Sequence, residues 1–172
     1  TFSAYDPSFI LRNLYYRQGG EEAGWVYRFG KITVDALFLT NRHISPNATF
    51  LPNAGTGVFA AGYADSGLGV AGAWYLNDRV YIGGGVADSN GERVNWGDIG
   101  AGQFYKGVEL GVKINPLTVK ASFSKLLFWH TDVTKDRQPF NANTVESGWG
   151  FAMVAEQELT YDGRLVLIGR YG

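Results

Sequence analysis

Residues 104–114 read FYKGVELGVKI, and this stretch indicates the fold class of the chain. Its apolar residues fall on alternate positions, so an extended backbone puts them on one face and puts Glu109 and Lys113 on the other. Asn115-Pro116 follows, and the chain is expected to turn there because proline cannot donate a hydrogen bond within a central strand. The stretch therefore predicts a β-strand with one apolar and one polar face.

Similar runs recur along the chain and predict about eight strands. They cover residues 9–16, 25–34, 67–76, 79–87, 104–114, 117–129, 149–159 and 164–171, with a further short run at 57–63. Short turns at 18–24, 77–78, 115–116 and 161–163 alternate with polar stretches at 39–55, 88–102 and 131–147. This alternation is typical of bacterial outer-membrane proteins, so we expect an all-β, antiparallel transmembrane β-barrel.

Composition narrows the classes of function. Charged residues make up 18% of the chain and the net charge is −1, so no nucleic-acid partner is expected. Cysteine is absent, which excludes disulfides and thiolate chemistry. No run of about 18 apolar residues occurs, so a transmembrane helix is excluded, whereas barrel strands need only about 10 alternating residues. Residues 1–6 lack the features of a signal peptide, so mature or truncated sequence is expected.

Aromatic residues give a further membrane signal, because they make up 15% of the chain and several lie near predicted strand ends. Aromatic girdles at the two membrane interfaces predict this placement. The residues concerned are Trp25, Trp74, Tyr75, Trp129, Trp149 and Tyr171.

A soluble β-sandwich or lipocalin-like barrel also alternates and stays open as an alternative. Such a fold needs a dry, packed core on one face, whereas here the face opposite the apolar one carries isolated charges. These are Glu109, Lys113, Lys120, Glu156 and Arg170. In the run from 117 to 129, Phe123 is expected on the apolar side, opposite Ser122 and Ser124.

Two segments carry family-like motifs. The first is Gly30-Lys31-Ile32-Thr33-Val34-Asp35 with Phe38 and Asn41, followed by Pro46-Asn47 and Phe50. The second, more specific one is Trp149-Gly150-Phe151, then Glu156-Gln157, Asp162-Gly163-Arg164 and Gly169-Arg170-Tyr171-Gly172. Together they resemble the carbohydrate-selective porin family (OprB-like), and the resemblance covers most of the chain in order, more weakly before Gly24.

The resemblance implies a barrel of about sixteen strands in a Gram-negative outer membrane, through which sugars diffuse. At 172 residues the chain is too short for such a barrel, and it ends at Tyr171-Gly172 rather than at a terminal aromatic residue. We therefore expect residues 1–172 to be a single segment of a larger porin. About eight strands could also close into a small barrel, whose interior would then be filled by side chains.

Motifs for catalysis or metal binding are weak, and neither an enzyme nor a cofactor is predicted. His43 and Ser45 lie two apart in a loop, without a nucleophile elbow or a zinc-helix motif. Residues 88–92 (DSNGE) have a faint calcium-loop composition but lack the full ligand spacing.

Charged side chains are better explained as the lining of a channel, where pore width and wall groups select solutes. The candidate lining residues are Arg28, Lys31, Asp35, Glu109, Lys113, Glu156 and Arg170. Glu156 and Arg170 are expected at similar heights on neighbouring strands, both pointing inward. The segment from Asp35 to Phe50 is expected to fold against or into the channel. Any single one of these residues could instead be only a solvated wall residue.

The leading hypothesis is an outer-membrane porin through which carbohydrates, other small polar solutes and ions diffuse, with outer-membrane lipid around it. The alternative is a small closed outer-membrane barrel with a structural or adhesive role in its loops. The solute, the constriction radius, the ion selectivity and the existence of a homo-oligomer stay open.

Overall fold

The computed structural model of this protein describes residues 11, 13–34, 37–40, 66–91, 96–114, 122–132, 147–160 and 165–172. These residues form one antiparallel sheet of eight strands, in which each strand pairs with the next along the chain. The strands are β1 (Leu14–Gly20), β2 (Trp25–Ile32), β3 (Gly67–Asn77), β4 (Val80–Asp88), β5 (Phe104–Ile114), β6 (Ser122–Thr131), β7 (Gly148–Glu158) and β8 (Val166–Tyr171). The prediction of an all-β, antiparallel fold is confirmed.

The sheet is open. β1 and β8 are its two edges, and no strand pairing joins them within the described ranges. The eight strands are therefore not closed into a barrel, and the transmembrane barrel stays a prediction. No helix among the described residues is long and apolar enough to cross a membrane.

Strand register sorts the side chains onto two faces. Val108 of β5 is paired with Gly84 of β4 and with Phe128 of β6, whereas the next residue, Glu109, is paired with Leu127. Paired residues of antiparallel strands project from the same face, and successive residues project from opposite faces. We call the face that carries Val108 the outer face and the face that carries Glu109 the inner face.

Large apolar side chains cover the outer face from β1 to β8, and many of them are exposed. Trp74 is 66% exposed and Trp149 is 80% exposed. The exposed apolar residues whose register places them on this face include Leu14, Tyr16, Phe29, Val70, Ile82, Val86, Val108, Leu110, Phe128, Phe151, Met153, Leu167 and Tyr171.

The packed core lies on the inner face. Strand side chains such as Leu127 and Val154 are buried there together with residues that follow β2. Those residues include Val34, Phe38 and Leu39, each at most 5% exposed. We call residues 37–40 the strap, because they lie against the inner face.

Connections between the strands alternate in length, as the sequence predicts. A 3-10 turn at Glu21–Ala23 joins β1 to β2 and ends at Gly24, whose φ of 75° favours glycine. Asn77 closes the tight β3–β4 turn, because its side-chain oxygen accepts the N–H groups of Arg79 and Val80 at 2.8 and 3.0 Å. Longer stretches, residues 33–66, 89–103 and 132–147, separate β2 from β3, β4 from β5 and β6 from β7.

The bounds of β1 differ from their prediction. The sequence predicts a strand over 9–16 and a turn over 18–24, whereas β1 runs from Leu14 to Gly20. Gln18 and Gly20 have the composition of turn residues, but they pair with Tyr27 and Trp25 of β2. The ladder with β2 therefore outweighs the local preference. The predicted short strand at 57–63 lies outside the described residues.

Candidate functional site

Five of the seven candidate lining residues lie on the inner face. Lys113 of β5 is paired with Phe123 of β6, which is paired in turn with Glu156 of β7, so the three form one row across the sheet. The five residues are Arg28, Glu109, Lys113, Glu156 and Arg170. Strand alternation therefore brings these charges to one surface.

Lys31 is not brought together with these five residues. Lys31 is paired with Leu14 and Leu68, which belong to the outer-face positions. It is 1% exposed, and its ammonium lies 5.8 Å from the centre of the Trp96 ring, a cation–π distance. Asp35 lies outside the described residues, as do His43 and Ser45.

Glu109 lies at the centre of a buried polar site on the inner face. Its side chain is buried, with 3% exposure, in the middle of β5. The Tyr81 hydroxyl donates to its Oε1 at 2.5 Å, and the backbone N–H of Leu39 donates to its Oε2. A buried carboxylate requires such donors, and a hydrogen bond to a charged group contributes about 1.5–3 kcal/mol. Glu109 therefore binds the strap.

Lys125 on β6 is a second contact with the strap. It is 8% exposed, and its ammonium donates to the carbonyl oxygen of Thr40 and, at 3.0 Å, to the Thr40 hydroxyl. The same ammonium lies 5.1 Å from the centre of the Phe123 ring, within cation–π range. Two opposite charges on neighbouring strands thus hold two consecutive residues of the strap.

Glycines on β5 make room for the aromatic rings of this site. The Phe38 ring of the strap lies against Gly107, where an added Cβ would come within 2.9 Å of the ring. The Tyr81 ring lies over Gly111, where an added Cβ would come within 2.0 Å. Larger side chains at these two positions would displace the rings from the inner face. Gly107 and Gly111 therefore provide the space that the Phe38 and Tyr81 rings occupy.

Lys125 is absent from the candidates that the sequence indicates, because the alternation along residues 117–129 predicts the wrong face for the side chains of β6. It predicts Phe123 on the apolar side, opposite Ser122 and Ser124. In the structure Phe123 lies on the inner face. Its ring stacks on the Tyr81 ring, with ring centres 6.1 Å apart and ring planes 27° apart. Lys125, two residues further on, therefore lies on the inner face as well.

Two of the six aromatic residues expected in the membrane girdles also lie on the inner face. Trp129 stacks on Tyr105 with ring centres 6.3 Å apart and planes 9° apart. The Tyr75 ring lies beside the Tyr81 ring, with ring centres 5.8 Å apart. Alternation along the strand, and not closeness to a strand end, determines which side such a ring occupies. The other four, Trp25, Trp74, Trp149 and Tyr171, belong to the outer face.

The expected position of Glu156 relative to Arg170 needs a correction. Arg170 is paired with Val154, and Glu156 is paired with Ile168, so the two charged residues are offset by two positions. They are diagonal neighbours on the inner face and not directly opposite each other. Glu156 is 7% exposed.

The described residues contain no group of three or more His, Cys, Asp or Glu side chains that could hold a metal ion. In the run with a calcium-loop composition, Asp88 instead accepts the N–H of Asn90 at 2.7 Å, which is a turn contact.

Chemically, the inner face offers charged groups of both signs beside the faces of aromatic rings. Comparisons of the chain with protein-family models, with curated proteins and with solved structures found no match.

Proposed function

We propose that this chain forms part of the wall of a bacterial outer-membrane porin through which carbohydrates and other small polar solutes diffuse. The observation that carries the proposal is the contrast between the two faces of the sheet. Exposed apolar and aromatic side chains cover the outer face, and charges of both signs occupy the inner face. Lipid outside and a watery channel inside would match these two surfaces.

The order of charged and apolar residues along the outer face of β5 supports the same proposal. On β5 the outer face carries Val108, Leu110 and Val112, with Lys106 before them at the end nearer the long connections. A lipid-facing strand has this pattern, since charges are tolerated near an interface and costly near the bilayer centre. The alternation of short and long connections also fits the proposal, because outer-membrane barrels have short periplasmic turns and long external loops.

In a membrane, the two edges that are open within the described residues would require further strands. Backbone groups along the edges β1 and β8 would be unpaired in hydrocarbon, where each unsatisfied group costs several kcal/mol. Further strands must therefore pair with both edges in a membrane. The resemblance to carbohydrate-selective porins implies that these strands belong to a barrel of about sixteen strands. The small closed barrel is less favoured, because it requires β1 to pair with β8.

Solute class follows from the groups on the inner face and from the family resemblance. Arg28, Lys113 and Arg170 are only partly buried and provide hydrogen-bond donors that can replace part of the hydration of a sugar. The Arg28 guanidinium lies 5.4 Å from the centre of the exposed Tyr15 ring, and such a ring can pack on the apolar face of a sugar.

The test is reconstitution of the full protein in lipid. We expect heat-modifiable migration on gels, stepwise conductance in planar bilayers and swelling of liposomes in a monosaccharide solution that is faster than in a trisaccharide solution. A protein that folds in water and never partitions into detergent would contradict the membrane barrel. A membrane-inserted protein without conductance would contradict the channel and favour the small closed barrel.

A further inference from the structure

Two charged side chains of the inner face, one on β5 and one on β6, contact the strap. Glu109 and Lys125 are both at least nine-tenths buried, and each binds polar atoms of residues 39–40. Lys113 lies on the same face of β5 but is only half-buried. Burying a charge is costly unless it is paired, so the strap and the two charges stabilise each other.

Apolar packing supports the strap from the same side. Phe38 and Leu39 are 5% and 4% exposed, and the Phe38 ring fits against Gly107. The two charges therefore act on a segment that is already in van der Waals contact with the wall. Their contribution is directional, since Glu109 accepts one particular N–H group and Lys125 donates to one particular carbonyl group.

We propose that Glu109 and Lys125 are positioning residues that hold the strap against the inner face, and we call their contacts with the strap the latch. The strap held in this way sets the free width of the channel at this level. Neither charge then contacts the passing solute. Tyr81 belongs to the latch through its hydrogen bond to Glu109. The statement about width rests on the proposed porin function, whereas the latch itself does not.

The latch can be tested with a single cysteine, because the chain contains none of its own. Leu39→Cys puts a thiol at a buried position of the strap, and its reaction with a water-soluble maleimide reports release of the strap. We compare the rate in the otherwise unchanged full protein with the rates after Glu109→Gln and after Lys125→Met. Lys113→Met is the matched control, since it removes a cation from the same face without touching the strap.

We expect each latch variant to raise the modification rate about tenfold or more, because hydrogen bonds to charged groups are lost, while Lys113→Met leaves it unchanged. Hydrogen exchange of β5 and β6 peptides, followed by mass spectrometry, should stay slow in all variants. An unchanged thiol rate would overturn the latch. A thiol rate that rises together with exchange in β5 and β6 would overturn it too, since the two side chains would then hold the wall and not the strap.

Conductance separates the latch from the porin proposal. If the full protein conducts, Glu109→Gln and Lys125→Met should give a larger or noisier single-channel conductance, and Lys113→Met should not. Unchanged conductance together with faster thiol modification would overturn the claim about channel width. If the unchanged protein does not conduct, the porin proposal fails, and the thiol rates still decide whether the latch exists.

Discussion

The backbone N–H of Leu39 donates a hydrogen bond to the carboxylate of Glu109, 70 residues further along the chain. Tyr81 of β4 donates to the other oxygen of the same carboxylate at 2.5 Å. The carboxylate is thereby satisfied although it is buried. Three separate parts of the sequence meet at this one side chain, so the loss of any donor should be measurable.

Tyr81→Phe is expected to lower the free energy of unfolding by about 1–3 kcal/mol, because it leaves one oxygen of a buried carboxylate without its donor. The ring itself stays over Gly111 in this variant. Tyr27→Phe is the matched control, since the Tyr27 hydroxyl donates to Gln18 at an exposed site. Its effect should stay within about 0.5 kcal/mol. Urea unfolding in detergent micelles measures both, and equal effects of the two variants would contradict the importance of the Glu109 site.

Leu110→Arg tests which face meets lipid. Leu110 lies in the central row of the outer face, between Ile82 of β4 and Leu126 of β6. Near the bilayer centre an arginine should cost about 2–4 kcal/mol. Gln157→Arg, on the outer face near the end of β7, is the control and should cost about 0–1 kcal/mol near the interface. The measurement is folding into liposomes as a function of urea, and equal costs at the two positions would contradict a lipid-facing outer surface.

Much of the fold could be predicted because period-2 alternation is a local property. The bounds of β5, Phe104–Ile114, follow directly from it, and the β3–β4 hairpin follows from alternation on both sides of a turn that contains Asn77. The start and end of β1 could not be predicted in this way. Gln18 and Gly20 become strand residues only through their pairing with β2, which no local preference encodes.

The site could be predicted only in part, for a related reason. Glu109 and Lys113 stand out because each interrupts an apolar alternation, whereas Lys125 follows Phe123 on a face that carries both apolar and charged groups. Alternation counted backwards from Phe128 would put Ser122 and Ser124 outside and Lys125 inside. The sequence predicts that the segment from Asp35 to Phe50 folds against or into a channel. Residues 37–40 of this segment pack on the inner face of the sheet, whereas the channel stays a prediction and the rest of the segment lies outside the described residues.

Asp132 should make the end of β6 sensitive to acid. The N–H of Phe104 and the ammonium of Lys106 each donate to its carboxylate at 3.0 Å, and His130 lies 3.4 Å away. These donors, the Phe104 N–H first, hold the pKa of Asp132 below its usual value of 3.8. A lowered pKa in the folded state means that the contribution is complete above the unfolded value and is lost as the pH falls through the folded value.

The check is hydrogen exchange at the Phe104 amide, followed from about pH 5 to pH 2 after correction for the intrinsic rate. Protection should decline in acid, and Asp132→Asn should remove that decline. Asp78→Asn, in the exposed β3–β4 turn, controls for the loss of one carboxylate. The same decline in Asp132→Asn as in the unchanged protein would rule out this source of acid sensitivity.

Arg170→Ala tests whether charges of the inner face act on passing ions. Arg170 lies on the inner face of β8, opposite Val154, so its removal should shift the reversal potential of the full channel toward cation preference. Lys106→Ala removes the same charge from the outer face, where Lys106 is 48% exposed and pairs with Asp132, and should leave selectivity unchanged. Both variants need unchanged gel mobility, so that a folding defect is not mistaken for a change in selectivity. Reversal potentials under a salt gradient, with sugar block of the current as a second reading, decide the matter. If Arg170→Ala leaves both readings unchanged, or if the two variants shift selectivity equally, Arg170 does not take part in selecting solutes.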